Sequence, residues 1–182
     1  MSATKRVISA APPNNTVSAY LFIYNVASSV AWATILSRTI IYAARDGFEG
    51  VYPAVGEFVR TTQAFACLEL LHAATRLVRA PLFTTFIQLL ARLFIVWVVT
   101  YAFPHLAKSP AYTVMLLAWS FTEVIRYSYF GAAAGGSPPN VLIWLRYTTF
   151  FVLYPVGMAT ETWLVYSAVG PATAGLLYSI HI

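Results

Sequence analysis

Charged and hydrogen-bonding side chains recur inside stretches that are otherwise apolar, at spacings that put them on shared helical faces. Gln88 and Arg92 are four apart; Glu123 and Arg126 are three apart. Residues at these separations are neighbours on a helix surface, and a Glu–Arg pair so placed is suited to an intrahelical ion pair. Further on, Arg146, Tyr154 and Glu161 share one long apolar run. Seven residues at about 100° each bring Glu161 back to within about 20° of Tyr154, about 10 Å further along the axis. Pro155 and Gly157 lie between them and are expected to open the helix locally, which is tolerated where backbone faces protein or a cavity. Glu57, Arg60, Glu69, His72 and Arg76 interrupt an earlier apolar run.

Such residues are costly. A charge at the centre of a bilayer costs about 2.5–3.5 kcal/mol even on the lenient insertion scale. Two readings compete. In one, the charges pair and hold helices together, with Arg126 and Arg146 reaching the headgroups along their apolar stems. In the other they form a buried site with a carboxylate, a phenol and several guanidinium groups. Glu161 favours a site, because no basic residue lies one helical turn away on its own run. Tyr154 is one of 12 tyrosines and is not singled out by physics, since most must pack or sit in interfacial belts. Nothing in the constellation by itself names a reaction.

The elements that hold these residues follow from hydropathy. Of 182 residues 59% are hydrophobic and 9% charged, with mean hydropathy +0.70. A soluble domain carries about 25% charged residues, so this is an all-α, multi-pass transmembrane helix bundle. Five apolar segments, at about 17–44, 54–78, 82–103, 111–130 and 141–169, reach the roughly 20 residues a spanning helix needs. Residues 1–16 read as a disordered cytoplasmic tail and 17–182 as the transmembrane domain. The first segment is too long for the ~7–15-residue apolar core of a cleaved signal peptide. Arg45-Asp46-Gly47 ends it, Arg79-Ala80-Pro81 turns into the third, Gly131 to Asn140 is a loop, and Gly170-Pro171 stops the fifth. No internal repeat is visible, which argues against a transporter built from inverted halves.

The net charge of +5 does not point to nucleic acid, because the basic residues stand singly between apolar runs. They read as topology signals. Lys5, Arg6, Arg76, Arg79, Arg126 and Arg146 flank one side, Arg45 and Lys108 the other, which puts the N-terminus in the cytoplasm. Cys67 stands alone, and His72, His105 and His181 are scattered, so no metal or organic cofactor is expected.

The stretch Trp119-Ser-Phe-Thr-Glu123-Val-Ile-Arg126-Tyr127, followed by Arg146-Tyr-Thr-Thr-Phe-Phe-Val-Leu-Tyr154-Pro-Val-Gly157-Met-Ala-Thr-Glu161, closely resembles the very-long-chain (3R)-3-hydroxyacyl-CoA dehydratases. These are endoplasmic-reticulum membrane proteins also described as protein tyrosine phosphatase-like. The opening Ala19-Tyr-Leu-Phe-Ile-Tyr-Asn25 and the run Leu68-Glu69-Leu-Leu-His72 through Gln88 and Arg92 resemble the same family, so the likeness extends in order from residue 19. It implies a hydro-lyase that converts 3-hydroxyacyl-CoA to trans-2-enoyl-CoA in fatty-acid elongation, with acyl-CoA as substrate and other elongation enzymes as partners. The family's catalytic tyrosine and glutamate fall on Tyr154 and Glu161. Its other polar positions fall on Glu69, Gln88, Arg92, Glu123, Arg126, Arg146 and Gly157.

The pair suits the reaction. Elimination needs a base for a weakly acidic C2 proton and an acid for a poor hydroxide leaving group. Glu161 as base with Tyr154 as acid is favoured, since a phenolate wants an adjacent cation and Arg146 lies two turns away; the reverse assignment remains open. Arg92, Arg126 and Arg146 are candidates to hold CoA phosphates or polarise the thioester carbonyl. Tyr154 lies about 20 Å along its helix from the cytoplasmic end, so the acyl-pantetheine arm must thread into the bundle. A cysteine-dependent phosphatase needs His-Cys-x5-Arg with a low-pKa thiolate; here Ala73 follows His72, and that chemistry is excluded. Family members continue into a sixth helix and a basic tail, whereas this chain stops at Ile182. Five spans and an unpacked bundle face are therefore expected. The alternative function is a catalytically inactive membrane scaffold for elongation partners or a phosphoprotein.

Overall fold

The computed structural model describes residues 15–180, with side chains described from 16 to 174. The tail expected over residues 1–16 therefore lies, up to residue 14, outside the described residues. All the regular structure among the described residues is helical: α1 (Asn15–Phe65), α2 (Cys67–Ala74), α3 (Leu82–Leu93), a π-helical segment (Phe94–Val99), α4 (Thr100–Ala102), a 3₁₀ turn (Leu106–Lys108), α5 (Pro110–Gly135) and α6 (Asn140–Ile180). Three stretches, Thr16–Ala74, Leu82–Ala102 and Asn140–Ala174, are long and apolar enough to cross a membrane. The protein is an all-α, multi-pass membrane protein.

The 51 residues of α1 would measure about 75 Å if straight, far beyond a bilayer's roughly 30 Å hydrocarbon core. The helix is not straight. Gly47 has φ 73° and ψ −174°, a backbone region open essentially to glycine alone. There the chain doubles back. Tyr20 and His72, at nearly equal distances on either side of Gly47, join Oη to Nε2 at 2.8 Å, which only two antiparallel arms allow. A Cβ at Gly50 would lie 2.4 Å from Asp46 Cβ, so the turn excludes side chains at a second point. Gly47→Ala is accordingly expected to destabilise the fold by about 1–3 kcal/mol, read as a lowered melting temperature of the detergent-solubilised chain; an unchanged melting temperature would mean the turn is not required.

α5 lies along the first arm of α1 and against α6. Its contact with α1 is close because glycines face it: a Cβ at Gly131 would sit 3.5 Å from Asn25 Cβ, and one at Gly135 3.4 Å from the Phe22 ring. Two glycines four apart let membrane helices approach at backbone distance. Ser29 Oγ then meets Ser128 Oγ at 2.9 Å. This corrects the loop expected from Gly131 onward: the Ala-Ala-Ala run between the glycines is a strong helix former, and α5 continues to Gly135.

Two further boundaries differ from expectation. α6 runs through Pro155 and through Gly170-Pro171, where a local opening and a stop were expected. A proline removes one intrahelical donor, and membrane helices absorb that loss. The Thr160 hydroxyl donates to Gly157 O, two residues after Pro155, at 2.8 Å, and the Thr173 hydroxyl to Gly170 O, immediately before Pro171, at 2.8 Å. The segment expected over 54–78 is divided between the second arm of α1 and the separate α2. The core is a column of Trp32, Ile35, Val55, Val96, Met115, Leu116 and Leu164, all nearly inaccessible, drawn from both arms, α5, α6 and the π segment.

Candidate active site

Glu123 is the hub. It is 4% exposed and faces inward on α5. Arg92, at the end of α3, donates from Nη1 to its Oε1. Arg126, one turn on along α5, donates from Nε to its Oε2 at 2.7 Å. Arg126 then extends as a fork to Glu69 on α2, Nη1 to Oε2 at 2.9 Å and Nη2 to Oε1 at 2.7 Å. This two-pronged geometry is the strongest carboxylate grip a side chain offers. The Tyr127 hydroxyl donates to the same Glu69 Oε1. Two carboxylates and two guanidiniums thus neutralise one another, which offsets the cost of taking four charges out of water inside an apolar bundle.

The network continues through an aromatic bridge. The Arg92 guanidinium carbon lies 4.2 Å from the Trp119 ring centroid and 5.5 Å from that of Trp32, a cation held between two indole faces. The Trp119 indole Nε1 donates to Glu161 Oε1 at 2.6 Å. Gly157, buried on α6, makes room for this: a Cβ there would lie 3.6 Å from Glu161 Oε1 and 3.9 Å from Trp119. Glu161 therefore reaches back one turn toward the N-terminal end of its helix, the direction helical side chains take.

At the other end of the network, Tyr24 lies edge-on to His72 with ring centroids 4.9 Å apart, and to Tyr127 at 6.1 Å. The polar and aromatic groups from Glu161 through Trp119, Arg92, Glu123, Arg126, Glu69 and Tyr127 to His72 and Tyr20 make one continuous column. It connects five helices, α1, α2, α3, α5 and α6, and ends at the face of the bundle that carries the N-terminal end of α1.

Of the residues singled out from sequence, the structure brings together Glu69, Arg92, Glu123, Arg126, Gly157 and Glu161. Three stand apart. Gln88 is exposed. Arg146 lies over Tyr129 and Phe130, 4.4 and 4.7 Å from their centroids. Tyr154 is 49% exposed and stacks on Phe150, centroids 4.8 Å apart, one turn N-terminal of Gly157. Arg126 is bound into the network, its guanidinium on Glu123 and Glu69. Sequence reasoning missed Trp119, Tyr127 and Trp32. A signal existed for the first two, since Trp119, Glu123 and Tyr127 are each four apart and so line one face of α5. No group of three or more His, Cys, Asp or Glu among the described residues is placed to hold a metal ion.

A helical membrane bundle with a charged column ending on a half-buried carboxylate defines the class. Residues 63–182 match the family model described as protein tyrosine phosphatase-like protein, PTPLA. Similar proteins include the very-long-chain (3R)-3-hydroxyacyl-CoA dehydratase PASTICCINO 2A of Oryza sativa subsp. japonica, 39% identical over 90% of this chain and 74% of that protein. PASTICCINO 2 of Arabidopsis thaliana is 37% identical over the same shares. A probable very-long-chain (3R)-3-hydroxyacyl-CoA dehydratase of Schizosaccharomyces pombe is 40% identical over 80% of this chain and 71% of its own length. No solved structure matches. The chain belongs to the protein tyrosine phosphatase-like, PTPLA, family.

Proposed function

We propose that this protein is a hydro-lyase of very-long-chain fatty-acid elongation, removing water from (3R)-3-hydroxyacyl-CoA to give trans-2-enoyl-CoA. The observation that carries the reading is the Glu161 carboxylate, half-buried in an apolar bundle and fixed by the Trp119 indole. An indole N–H only donates, so Oε1 is engaged as an acceptor and the carboxyl group is oriented, leaving Oε2 free to meet a substrate proton. Glu161 takes the C2 proton, the C2–H electrons form the C2–C3 double bond, and the C3 hydroxyl leaves as water with a proton from the Tyr154 phenol. That demands the Tyr154 ring turn off Phe150 toward Gly157 when substrate is bound; with half its surface exposed it is free to do so. Arg92, beside Trp119, is the cation nearest Glu161 along the network and has N–H donors left after Glu123 to polarise the thioester carbonyl.

The bundle crosses the endoplasmic-reticulum membrane five times, by the two arms of the Thr16–Ala74 stretch, Leu82–Ala102, α5 and α6. Its N-terminus is cytoplasmic, on the side where Arg76, Arg79, Arg126 and Arg146 accumulate. Acyl-CoA enters from that side with its tail among helices and lipid, and other elongation enzymes are the partners.

Two measurements test this. Membranes carrying the chain, in cells stripped of endogenous dehydratase, are expected to form enoyl-CoA from the (3R) and not the (3S) hydroxyacyl-CoA; equal use of both would contradict a shaped site. Trp119→Phe keeps the ring over Arg92 and loses the donor to Glu161. A hydrogen bond to a charged group contributes about 1.5–3 kcal/mol, so kcat should fall about 10- to 100-fold with KM little changed. An unaltered kcat would show that Glu161 needs no such support.

A further inference from the structure

The column leaves a question about the CoA phosphates. Arg92 and Arg126 are both committed to carboxylates, and Arg146 is folded against two aromatic rings. Two other arginines stand at the same end of the bundle. Arg76 and Arg79 occupy the turn between α2 and α3 and line a cavity of about 680 Å³ with Ala73, Ala80 and Leu82. Among the described residues neither has an acidic side chain within salt-bridge distance. The turn is built: Arg76 takes a left-handed φ of 57°, its N–H reaches Ala73 O at 3.2 Å, and Val78 N–H reaches His72 O at 3.3 Å. This sets the backbone of both arginines at the rim of the cavity, with their side chains exposed, a few residues from where the column ends at His72.

Depth decides what fits. Trp119 to Tyr127 is about 12 Å along α5 at 1.5 Å per residue, and α2 carries the column about 5 Å further, from Glu69 beside Tyr127 to His72, about 17 Å in all. The pantetheine arm between a pyrophosphate and its thioester sulfur equals about four residues of extended chain, about 15 Å at ~3.5 Å each. Arginine side chains cover the remainder. Guanidinium groups bind phosphate oxygens in pairs, and a site at the membrane surface spares the phosphates from entering it. Resting on the dehydratase reading above, we propose that Arg76 and Arg79 hold the phosphate groups of the CoA moiety at the cytoplasmic mouth, setting the thioester beside Glu161.

The test is direct binding of coenzyme A, and of pantetheine, which lacks the phosphates, to the purified full chain in nanodiscs of zwitterionic lipid. Arg76→Asn keeps a residue tolerant of left-handed φ; Arg79→Gln keeps the stem. Each is expected to weaken CoA about 10- to 100-fold, the factor carried by one hydrogen-bonded charge, with pantetheine unchanged and Arg79→Lys recovering part of the loss. Unchanged CoA affinity in both variants overturns the proposal. So does a wild type that binds CoA no better than pantetheine, or variants that alter only retention of anionic phospholipid, which would make the turn a headgroup anchor. Enoyl-CoA formation is followed in parallel. Normal CoA binding with no product would defeat the dehydratase reading and leave the phosphate site standing. Product with CoA affinity indifferent to the arginines would do the reverse.

Discussion

Glu123→Ala is expected to destabilise the bundle by about 3–5 kcal/mol, the range for removing one partner of a buried ion pair. Glu123 is 4% exposed and answers two guanidinium groups, Arg92 and Arg126. Arg126 keeps Glu69. Arg92 keeps only the faces of Trp32 and Trp119, and a cation–π contact contributes about 0.5–2 kcal/mol, too little to replace a carboxylate. Thermal unfolding of detergent-solubilised protein measures the loss. Glu57→Ala is the comparison. That carboxylate also pairs with an arginine, yet its side chain is 79% exposed, so its removal should shift stability by no more than about 1 kcal/mol. A Glu123 variant that melts with the wild type would mean the four-charge cluster does not hold the helices.

Glu161→Gln and Tyr154→Phe are each expected to lower kcat about 10²- to 10⁴-fold, the contribution of a positioned acid or base, while leaving insertion and folding intact. Glutamine keeps an oxygen for the Trp119 N–H, so the geometry at Gly157 survives and only the basicity goes. Phenylalanine keeps the stack on Phe150 and removes the proton. Because the two groups act in one event, the double variant should be little worse than either single one. A multiplicative loss would separate their roles into different steps.

The apolar runs were legible because membrane burial writes them as length and composition, and the reversal near Gly47 because charge and glycine interrupt them there. So was the pairing of Glu123 with Arg126, which needs only helical spacing. The long-range partners were not. Arg92 finds Glu123 and Arg126 finds Glu69 across helices, and periodicity gives the face a residue occupies but not how that face is rotated toward its neighbours. Gln88 shows the limit: it shares a face with Arg92 by spacing yet is exposed. The glycines at 131 and 135 look like a loop beside Gly136 and two prolines, and become a helix-packing face only once α1 lies against them. Spacing puts Trp119 on one face of α5 with Glu123, but nothing in hydropathy separates an indole that packs from one that also donates to Glu161.

The most direct test of the account is product formation by the purified wild-type chain in nanodiscs supplied with a long-chain (3R)-3-hydroxyacyl-CoA, with Glu161→Gln at equal amount as the blank. Trans-2-enoyl-CoA is expected from the wild type, and a signal at least about 100-fold lower from the variant. Equal rates from the two, or no product from folded wild type that binds substrate, would contradict it.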